Sequence, residues 1–217
     1  MNGTDGAKVK AKPGIRQQRA QETRRRMLEA ALRLFTAHGY DGTTIDSIAR
    51  EAKVAVQTIY FSFGNKQTIL KELVDVRVAG DDEPVPTLER RWVLDAVAAE
   101  DSETQLCRQV AGAREIYERV GELLEVLRNA AASNEDVAPL WERNKRQRME
   151  VQKHLVKALA EKSPLPRSLT FDRAVDISYS LLGPEIYHLL VTERGWTPQQ
   201  WAAWVHSSLC HHLVGQE

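Results

Sequence analysis

The hydrophobic positions in the first third of the chain recur at the spacing of amphipathic helices. They predict four helices, the first ended by Gly39 and the last capped by Asn65, over residues 16–38, 44–51, 56–62 and 66–79. The third segment includes VQTIYF, which has the propensity of a strand. Its neighbouring helices lie too close in sequence to leave a partner strand, so we predict a helix there.

The second and third segments have the arrangement of a helix-turn-helix. Thr43 is predicted to cap the second helix in a capping box with Asp46. Lys53 stands at the turn position that favours glycine, so we expect a left-handed conformation that costs about 1 kcal/mol. Apolar and polar residues fall on opposite faces of the third helix, which suits a helix that packs on a core and enters a DNA major groove.

The rest of the chain also has helical periodicity. After the stretch GDDEPVP the apolar patterns predict helices over residues 87–99, 102–131, 135–162, 171–194 and 197–213. We expect a break in 102–131 near Gly112 or Gly121 and a kink at Pro184. Thr197 followed by Pro198 is the pattern of a cap and a first-turn proline. The predicted fold class is therefore all-α.

Composition divides the chain into three predicted parts. Residues 1–15 are rich in glycine and lysine and are expected to be a flexible basic arm, either a solvated tail or a contact to DNA. Residues 16–80 are the predicted helix-turn-helix domain, and 81–217 form a second helical domain. Residues 1–80 carry 14 Lys and Arg against 8 Asp and Glu, although the formal net charge of the whole chain is zero. A basic N-terminal part suits nucleic-acid binding.

Other chemistry is sparse. The chain has no apolar run near the roughly 20 residues that cross a membrane and no signal-like start, so we expect a cytoplasmic protein without a membrane partner. The two cysteines, Cys107 and Cys210, are expected to be reduced and buried. His206 and Cys210 are four residues apart, but two ligands do not make a site, so neither a metal nor a cofactor is expected. No catalytic motif supports the alternative that the protein is an enzyme.

A set of residues between about 25 and 70 has a specific joint spacing. The set is Ala30-Ala31, Leu34-Phe35, Gly39-Tyr40, Thr43-Thr44, Ile48-Ala49, Ala52, Val54, Thr58-Ile59-Tyr60, Phe63, Lys66 and Leu70. In these residues the chain resembles the TetR family of transcriptional regulators. The resemblance implies an all-α homodimer with a three-helix N-terminal DNA-binding domain and a larger C-terminal helical bundle for ligand binding and dimerisation. It implies three partners, namely a double-stranded DNA operator, an unidentified small-molecule effector and a second copy of the chain.

Three positions depart from the family pattern. Lys53 stands where glycine is common, Ala55 where a serine-like cap is common, and Ser62 where the family ending aromatic–X–His–Phe has histidine. The departures do not argue against DNA binding. They prevent the operator sequence from being carried over from the family.

The predicted DNA contacts come from the helix-turn-helix and the start of the next helix. The amide of Gln57 suits bidentate pairing with adenine, and the methyl groups of Val56 and Thr58 suit thymine. Phosphate contacts are expected from Thr44, Tyr60, Ser62 and Lys66. A purely structural role is the alternative for each, since Thr44 can be a cap and an exposed glutamine is ordinary.

Two groups of residues are candidates in the C-terminal part. Ligand contacts are expected from Trp92, Cys107, Tyr117, Trp141 and Met149, although a filled core explains them equally well. A dimer seam is expected from Tyr179, Leu182, Tyr187, Leu190, Trp201, Val205 and Leu209, because helices that are apolar on two faces must bury the second. The leading prediction is a ligand-responsive repressor that binds a near-palindromic operator as a dimer. The alternative is an interaction module that kept the scaffold but does not bind DNA.

Overall fold

The computed structural model describes residues 14–80 and 85–214, which form ten α-helices and no strand. The helices are Ile15–His38 (α1), Ile45–Ala52 (α2), Val56–Phe63 (α3), Lys66–Ala79 (α4), Arg91–Val97 (α5), Ser102–Ser133 (α6), Ala138–Lys162 (α7), Phe171–Leu181 (α8), Pro184–Tyr187 (α9) and Pro198–Leu213 (α10). The predicted fold class, all-α, is confirmed. Within the two described ranges, no helix has both the length and the apolar character of a membrane span. Nearly all of the predicted basic arm lies outside the described residues.

Helices α1 to α4, which we call the head, pack around a single core. Each helix contributes fully buried side chains, among them Met27 and Phe35 of α1, Ile48 of α2, Ile59 of α3 and Ile69 and Leu70 of α4. All four predicted helices of the head are confirmed to within one residue at either end. The segment VQTIYF is helical, and burial reflects this: Ile59 and Phe63 are buried while Phe61 between them is exposed, whereas in a strand all three would share one face.

The predicted cap of α2 is wrong by one residue. Thr44 is the N-cap, with Oγ1 accepting from the Ser47 backbone N–H at 3.1 Å, while Ser47 Oγ accepts from the Thr44 N–H at 3.0 Å. Thr43 is instead buried, and its hydroxyl donates to the Gly39 carbonyl at 2.8 Å. Threonine, serine and aspartate offer similar acceptors, so only the packing of the preceding loop decides which threonine is the cap.

Helices α5 to α10, which we call the body, are organised around α6. This helix has 32 residues and contacts α1, α4, α5, α7, α9 and α10. The predicted break near Gly112 or Gly121 is wrong, because α6 is continuous through both. A Cβ atom at Gly112 would lie 2.7 Å from the ring of Trp92, so the glycine allows that ring to pack directly on α6.

The predicted helix 171–194 is interrupted at Pro184 rather than bent. The residue before a proline is disfavoured in the helical region, and Gly183 is extended, with φ −76° and ψ 143°. The short α9 and a π-helical turn, His188–Glu193, complete the segment. A 3₁₀ turn, Thr87–Glu89, likewise takes up the start of the predicted helix 87–99. The last helix confirms its prediction, with Thr197 as cap and proline in the first turn.

Candidate DNA-binding surface and effector cavity

The short helix α3 has two opposite faces. Ile59 and Phe63 are buried in the head, whereas Gln57, Tyr60 and Phe61 are exposed to solvent. The half-buried positions along the edges are Val56, Thr58 and Ser62. All five contact residues predicted on α3 therefore keep accessible surface. Their contacts with DNA remain predictions.

Phe61 is not among the predicted contacts, yet 94% of its surface is exposed. Apolar residues are usually assigned to a core, and that assumption hides this one. The signal is its phase, because Phe61 lies two positions from both Ile59 and Phe63 and so falls on the opposite side of the helix. Its ring extends the outward face with an apolar group of the kind that contacts thymine methyls.

The turn between α2 and α3 has the left-handed conformation that was predicted at Lys53. Its φ is 54° and its ψ is 51°, and no other non-glycine residue in the described ranges has a positive φ. Arg26 of α1 holds this turn, since its Nη2 donates to the carbonyls of Ala52 at 2.6 Å and Lys53 at 3.4 Å. The turn between α2 and α3 is thus held by an exposed side chain of α1. Ala55 precedes α3 without a side-chain cap, as its sequence implies.

The C-terminal end of α3 is fixed by Arg24. Its Nη1 donates to the Ser62 carbonyl at 2.8 Å, and its Nε donates to Glu72 of α4 at 2.8 Å. The guanidinium lies 4.2 Å from the centre of the Phe63 ring. One arginine therefore connects α1, α3 and α4.

Lys66 has a different role from the predicted one. Its ammonium donates to the carbonyls of Tyr40 at 2.7 Å and Thr43 at 2.9 Å, and lies 4.0 Å from the centre of the Tyr40 ring. Burial lowers the pKa of the Lys66 ammonium below its usual value. Because the ammonium group is hydrogen-bonded to the loop between α1 and α2, we assign Lys66 a structural role in place of the predicted phosphate contact. Thr44 stays exposed at the start of α2, where capping and a phosphate contact are compatible.

A cavity lies in the body, bounded by α4, α5, α6, α7, α8 and the 3₁₀ turn. The cavity has a volume of about 80 Å³ and is partly open to solvent, so it is smaller than the usual small-molecule site, and a ligand would have to push its walls apart. The lining residues are Val78, Thr87, Trp92, Ala113, Ile116, Tyr117, Leu124, Asn144, Gln147, Arg148, Val151, Gln152, Tyr179 and Leu182. Among these described lining residues, Arg148 is the single charged one.

Two of the five predicted ligand residues, Trp92 and Tyr117, line this cavity. The Trp141 ring lies behind the wall, with its centre 5.2 Å from the Arg148 guanidinium. The structure corrects the other two, since Cys107 is exposed and Met149 packs partly against the core without lining the cavity. The sequence identified the right helices, but it could not show which of their faces turn toward one another.

Tyr117 connects the cavity wall to the interruption before α9. Its side chain is buried, and its hydroxyl donates to the Leu182 carbonyl, next to the extended Gly183. Burial raises the pKa of Tyr117 well above its usual value, and the nearby positive charge of Arg148 opposes that shift only in part. The ring also packs on Tyr187 and Trp201, at centre distances of 5.2 and 5.9 Å.

Most of the predicted dimer seam is wrong, because its residues are already buried within one chain. Trp201, Val205 and Leu209 are fully buried, and Leu182 and Tyr187 are nearly so. Of the remaining two, Tyr179 lines the cavity and Leu190 packs partly on the core. Within one chain, α9 and α10 pack on α6, and α8 packs on α7 and α10. The large apolar side chains left exposed in this part of the body are Phe171, Leu189 and Trp204.

His206 and Cys210 are neighbours on α10, with 3.5 Å between Nε2 and Sγ. Burial raises the pKa of the Cys210 thiol. Within residues 14–80 and 85–214, no three His, Cys, Asp or Glu side chains are grouped so that they could hold a metal ion.

The arrangement of the head agrees with comparisons to known proteins. Residues 27–73 match the family model described as bacterial regulatory proteins, tetR family. The head belongs to the TetR family. The HTH-type transcriptional regulator SrpR of Pseudomonas putida is 36% identical over 86 residues, which are 38% of this chain and 40% of SrpR. YdeS of Bacillus subtilis, an uncharacterised regulator of the helix-turn-helix type, is 29% identical over 175 residues, or 80% of this chain and 81% of YdeS.

Solved structures extend the likeness from the head into the body. A TetR-family regulator from Syntrophomonas wolfei has a TM-score of 0.70 at 17% identity, over 91% of this chain and 99% of that one. The regulator FadR of Bacillus subtilis, solved in complex with stearoyl-CoA, has a TM-score of 0.68 at 16% identity, over 86% and 97% of the two chains. At these identities the likeness establishes the fold and leaves the ligand open.

Proposed function

We propose that this protein is a ligand-responsive transcriptional repressor that binds a near-palindromic operator as a homodimer. The observation that carries the proposal is the outward face of α3. Gln57, Tyr60 and Phe61 project from a short helix whose other face is anchored in the head. A helix held in this way can enter a major groove with its side chains directed at base edges. The excess of basic residues in the N-terminal part favours the approach to phosphates.

The roles proposed for individual residues follow from their chemistry. Gln57 reads adenine through its amide, and Phe61 packs against thymine methyls or sugars. The hydroxyl of Tyr60, whose side chain is 48% exposed, donates to a phosphate. Val56 and Thr58 contribute methyl groups from the edges of the face, while Ser62 and the N-terminus of α2 at Thr44 contact the backbone.

A dimer is part of the proposal because one short helix contacts too few bases to define a unique site. A twofold dimer places two such helices in successive major grooves. We assign the seam to the apolar side chains that the chain leaves exposed on α8, on α10 and between them: Phe171, Leu189 and Trp204. A second copy that covers these side chains would remove apolar surface from water.

The cavity is proposed as the effector site because it touches the helix that supports the head. Val78 of α4 lines the cavity, and one turn earlier Asp75 of α4 accepts a hydrogen bond from Arg143 of α7. A molecule that moves α7 therefore also moves α4 and, through it, α3. Such an effector releases DNA only to the extent that it binds the non-DNA-binding state more tightly.

The division of labour is proposed along the chain as 16–80 for DNA binding and 81–217 for effector binding and dimerisation. The protein is placed in the cytoplasm, where its operator is, and no catalytic step is assigned to it. The family description, bacterial regulatory proteins, supports a regulatory function.

The test is fluorescence anisotropy of the protein on duplex DNA from the region upstream of its own gene. Gln57→Ala and Tyr60→Phe are expected to weaken specific binding, Gln57→Ala by about 1–3 kcal/mol because a base contact is lost. Gln199→Ala, an exposed glutamine on α10, is the matched control and should bind as the wild type does. If both α3 variants bind the specific duplex with unchanged affinity, the assigned face is wrong.

One observation also fits a second function, an interaction module that does not bind DNA. Phe61, at 94% exposure, would equally serve as an apolar anchor for another protein. The dependence of binding on salt separates the two functions. A DNA-binding head binds random duplex DNA with an affinity that falls steeply as the salt concentration rises. The affinity of an apolar contact between proteins does not fall in this way.

A further inference from the structure

We infer that the effector is a largely apolar molecule with one carboxylate, and that Arg148 binds this carboxylate. The inference rests on the proposed function, in which the cavity is the effector site. It adds the chemical class of the ligand, for which the cavity itself supplies the observations.

The walls of the cavity are mainly apolar and aromatic. Trp92, Ile116, Tyr117 and Leu124 come from α5 and α6, and Leu182 follows α8. The polar lining is concentrated on a single helix, α7, which supplies Asn144, Gln147, Arg148 and Gln152. A ligand that matches these walls has an apolar body and one polar group directed at α7.

Arg148 is held in a fixed orientation at that polar wall. Its side chain is 14% exposed, and its Nε donates to Asn144 Oδ1 at 3.1 Å. The guanidinium lies over the rings of Trp141 and Tyr179, at 5.2 and 4.8 Å from their centres. A shielded and oriented guanidinium binds a carboxylate more strongly than a mobile surface arginine does, because less solvent and less side-chain freedom are lost.

The present partner of Arg148 is a weak one. Glu185 of α9 faces the two Nη atoms at 3.3 and 3.4 Å, longer than the roughly 2.7–2.9 Å of a good charge-assisted hydrogen bond. The Glu185 side chain is 44% exposed, so water competes for it. A ligand carboxylate that arrives through the apolar cavity offers the same two oxygens at a drier position. It would take the place of Glu185 and release α9 from α7.

The charge of the lining excludes the opposite class of ligand. Among the described lining residues no aspartate or glutamate is present to neutralise an ammonium group, and Arg148 would repel one. A cationic effector would therefore place a second positive charge beside Arg148, whose carboxylate partner Glu185 stands outside the lining.

The inference is tested with three probes that share one apolar body: 4-phenylbutyrate, 4-phenylbutanol and 4-phenylbutylamine. Decanoate and decanol form a second matched pair with a longer chain. Dissociation constants are measured by calorimetry on the full-length protein without DNA. We expect the wild type to bind a carboxylate at least about tenfold more tightly than its alcohol, and the amine most weakly.

Two variants separate the roles of the ion pair. Arg148→Gln should abolish the preference for the carboxylate over the alcohol, whereas Glu185→Gln should strengthen carboxylate binding several-fold by removing the competitor. Arg146→Gln and Glu150→Gln, both exposed on α7, are the matched controls and should retain wild-type preferences. Circular dichroism identifies any variant that fails to fold, and Arg148→Lys then replaces Arg148→Gln, with a reduced preference expected.

The inference is overturned if the alcohol or the amine binds as tightly as the carboxylate, if Arg148→Gln leaves the preference unchanged, or if no carboxylate in either series binds. The proposed function is tested separately, by whether a bound probe lowers the affinity for the specific duplex. A carboxylate that binds without releasing DNA would contradict the regulatory role and leave the chemical class intact. A neutral molecule that binds in the cavity and releases DNA would contradict the chemical class and leave the regulatory role intact.

Discussion

The head and the body place their chemistry on opposite sides of their helices. In the head, the candidate side chains point outward from α3, and the buried side of that helix serves only to anchor it. In the body, the candidate side chains point inward, to a cavity shared by five helices. An outward site is determined by the periodicity of one helix, whereas an inward site is determined by how several helices face one another. The same kind of sequence pattern is therefore far more informative about the head.

The largest expected effect distinguishes the buried tryptophan of α10 from the exposed one. Trp201→Ala should lower the free energy of unfolding by about 3–5 kcal/mol, because Trp201 is fully buried within one chain. Trp204→Ala should have little effect on the fold of the single chain and should weaken the proposed dimer. Urea unfolding at fixed protein concentration and analytical ultracentrifugation measure the two effects.

The opposite result would restore the seam predicted from the sequence. That result is a Trp201→Ala protein that folds with normal stability but sediments as a monomer, beside a Trp204→Ala protein that remains dimeric.

The next effect concerns Lys66 and tests whether it belongs to the interior of the head. Lys66→Met keeps most of the aliphatic chain but leaves the carbonyls of Tyr40 and Thr43 without their donor. We expect a loss of stability of about 1–3 kcal/mol, the usual cost of polar groups left without a partner. The slope of DNA affinity against salt should stay unchanged. If the slope of log affinity against log salt concentration became shallower by about 0.9 while stability stayed normal, Lys66 would instead contact a phosphate.

The smallest effect is a dependence on pH that originates in the cavity wall. The pKa of Tyr117 is higher in the folded protein than in the unfolded chain, where it is near 10. The contribution of Tyr117 to the free energy of unfolding is therefore complete below about pH 10 and is lost as the pH rises toward the pKa of the folded protein. The wild type should therefore lose stability above about pH 10, by up to about 1.4 kcal/mol per pH unit from this group.

Tyr117→Phe isolates the contribution of Tyr117 to the pH dependence of stability. It should be less stable than the wild type at neutral pH by about 0.5–1.5 kcal/mol, since the hydrogen bond to the Leu182 carbonyl is lost. Its stability should then fall less between about pH 9 and pH 11 in urea titrations. Parallel pH profiles for the two proteins would show that Tyr117 ionises as freely in the folded state as in the unfolded one.

Local signals allowed much of the head to be predicted. The glycine after α1, the asparagine cap of α4 and the left-handed Lys53 each follow from what one residue type does at a helix end. The errors there are also local, since Thr43 and Thr44 are chemically equivalent as caps. The exposure of Phe61 also follows a local rule, because two positions along a helix separate it from the buried Ile59 and Phe63.

The contacts that could not be predicted join residues far apart in sequence. Arg26 reaches the turn at Lys53, and Arg148 is placed between rings from two different helices. The same holds for the dimer seam, because α10 packs on α6 and α8 packs on α7 and α10 within one chain. Periodicity identifies an apolar face but does not identify the helix that covers it.

The way α3 is fastened has a consequence for altering its specificity. The side chains of Arg24 and Arg26 hold this helix and its turn through the carbonyls of Ser62, Ala52 and Lys53, and main-chain carbonyls are the same whatever side chain follows them. The outward residues can then be exchanged without changing what keeps the helix in place. A library randomised at positions 57 and 61 should therefore yield folded proteins with new operator preferences, which makes this head a suitable frame for retargeting.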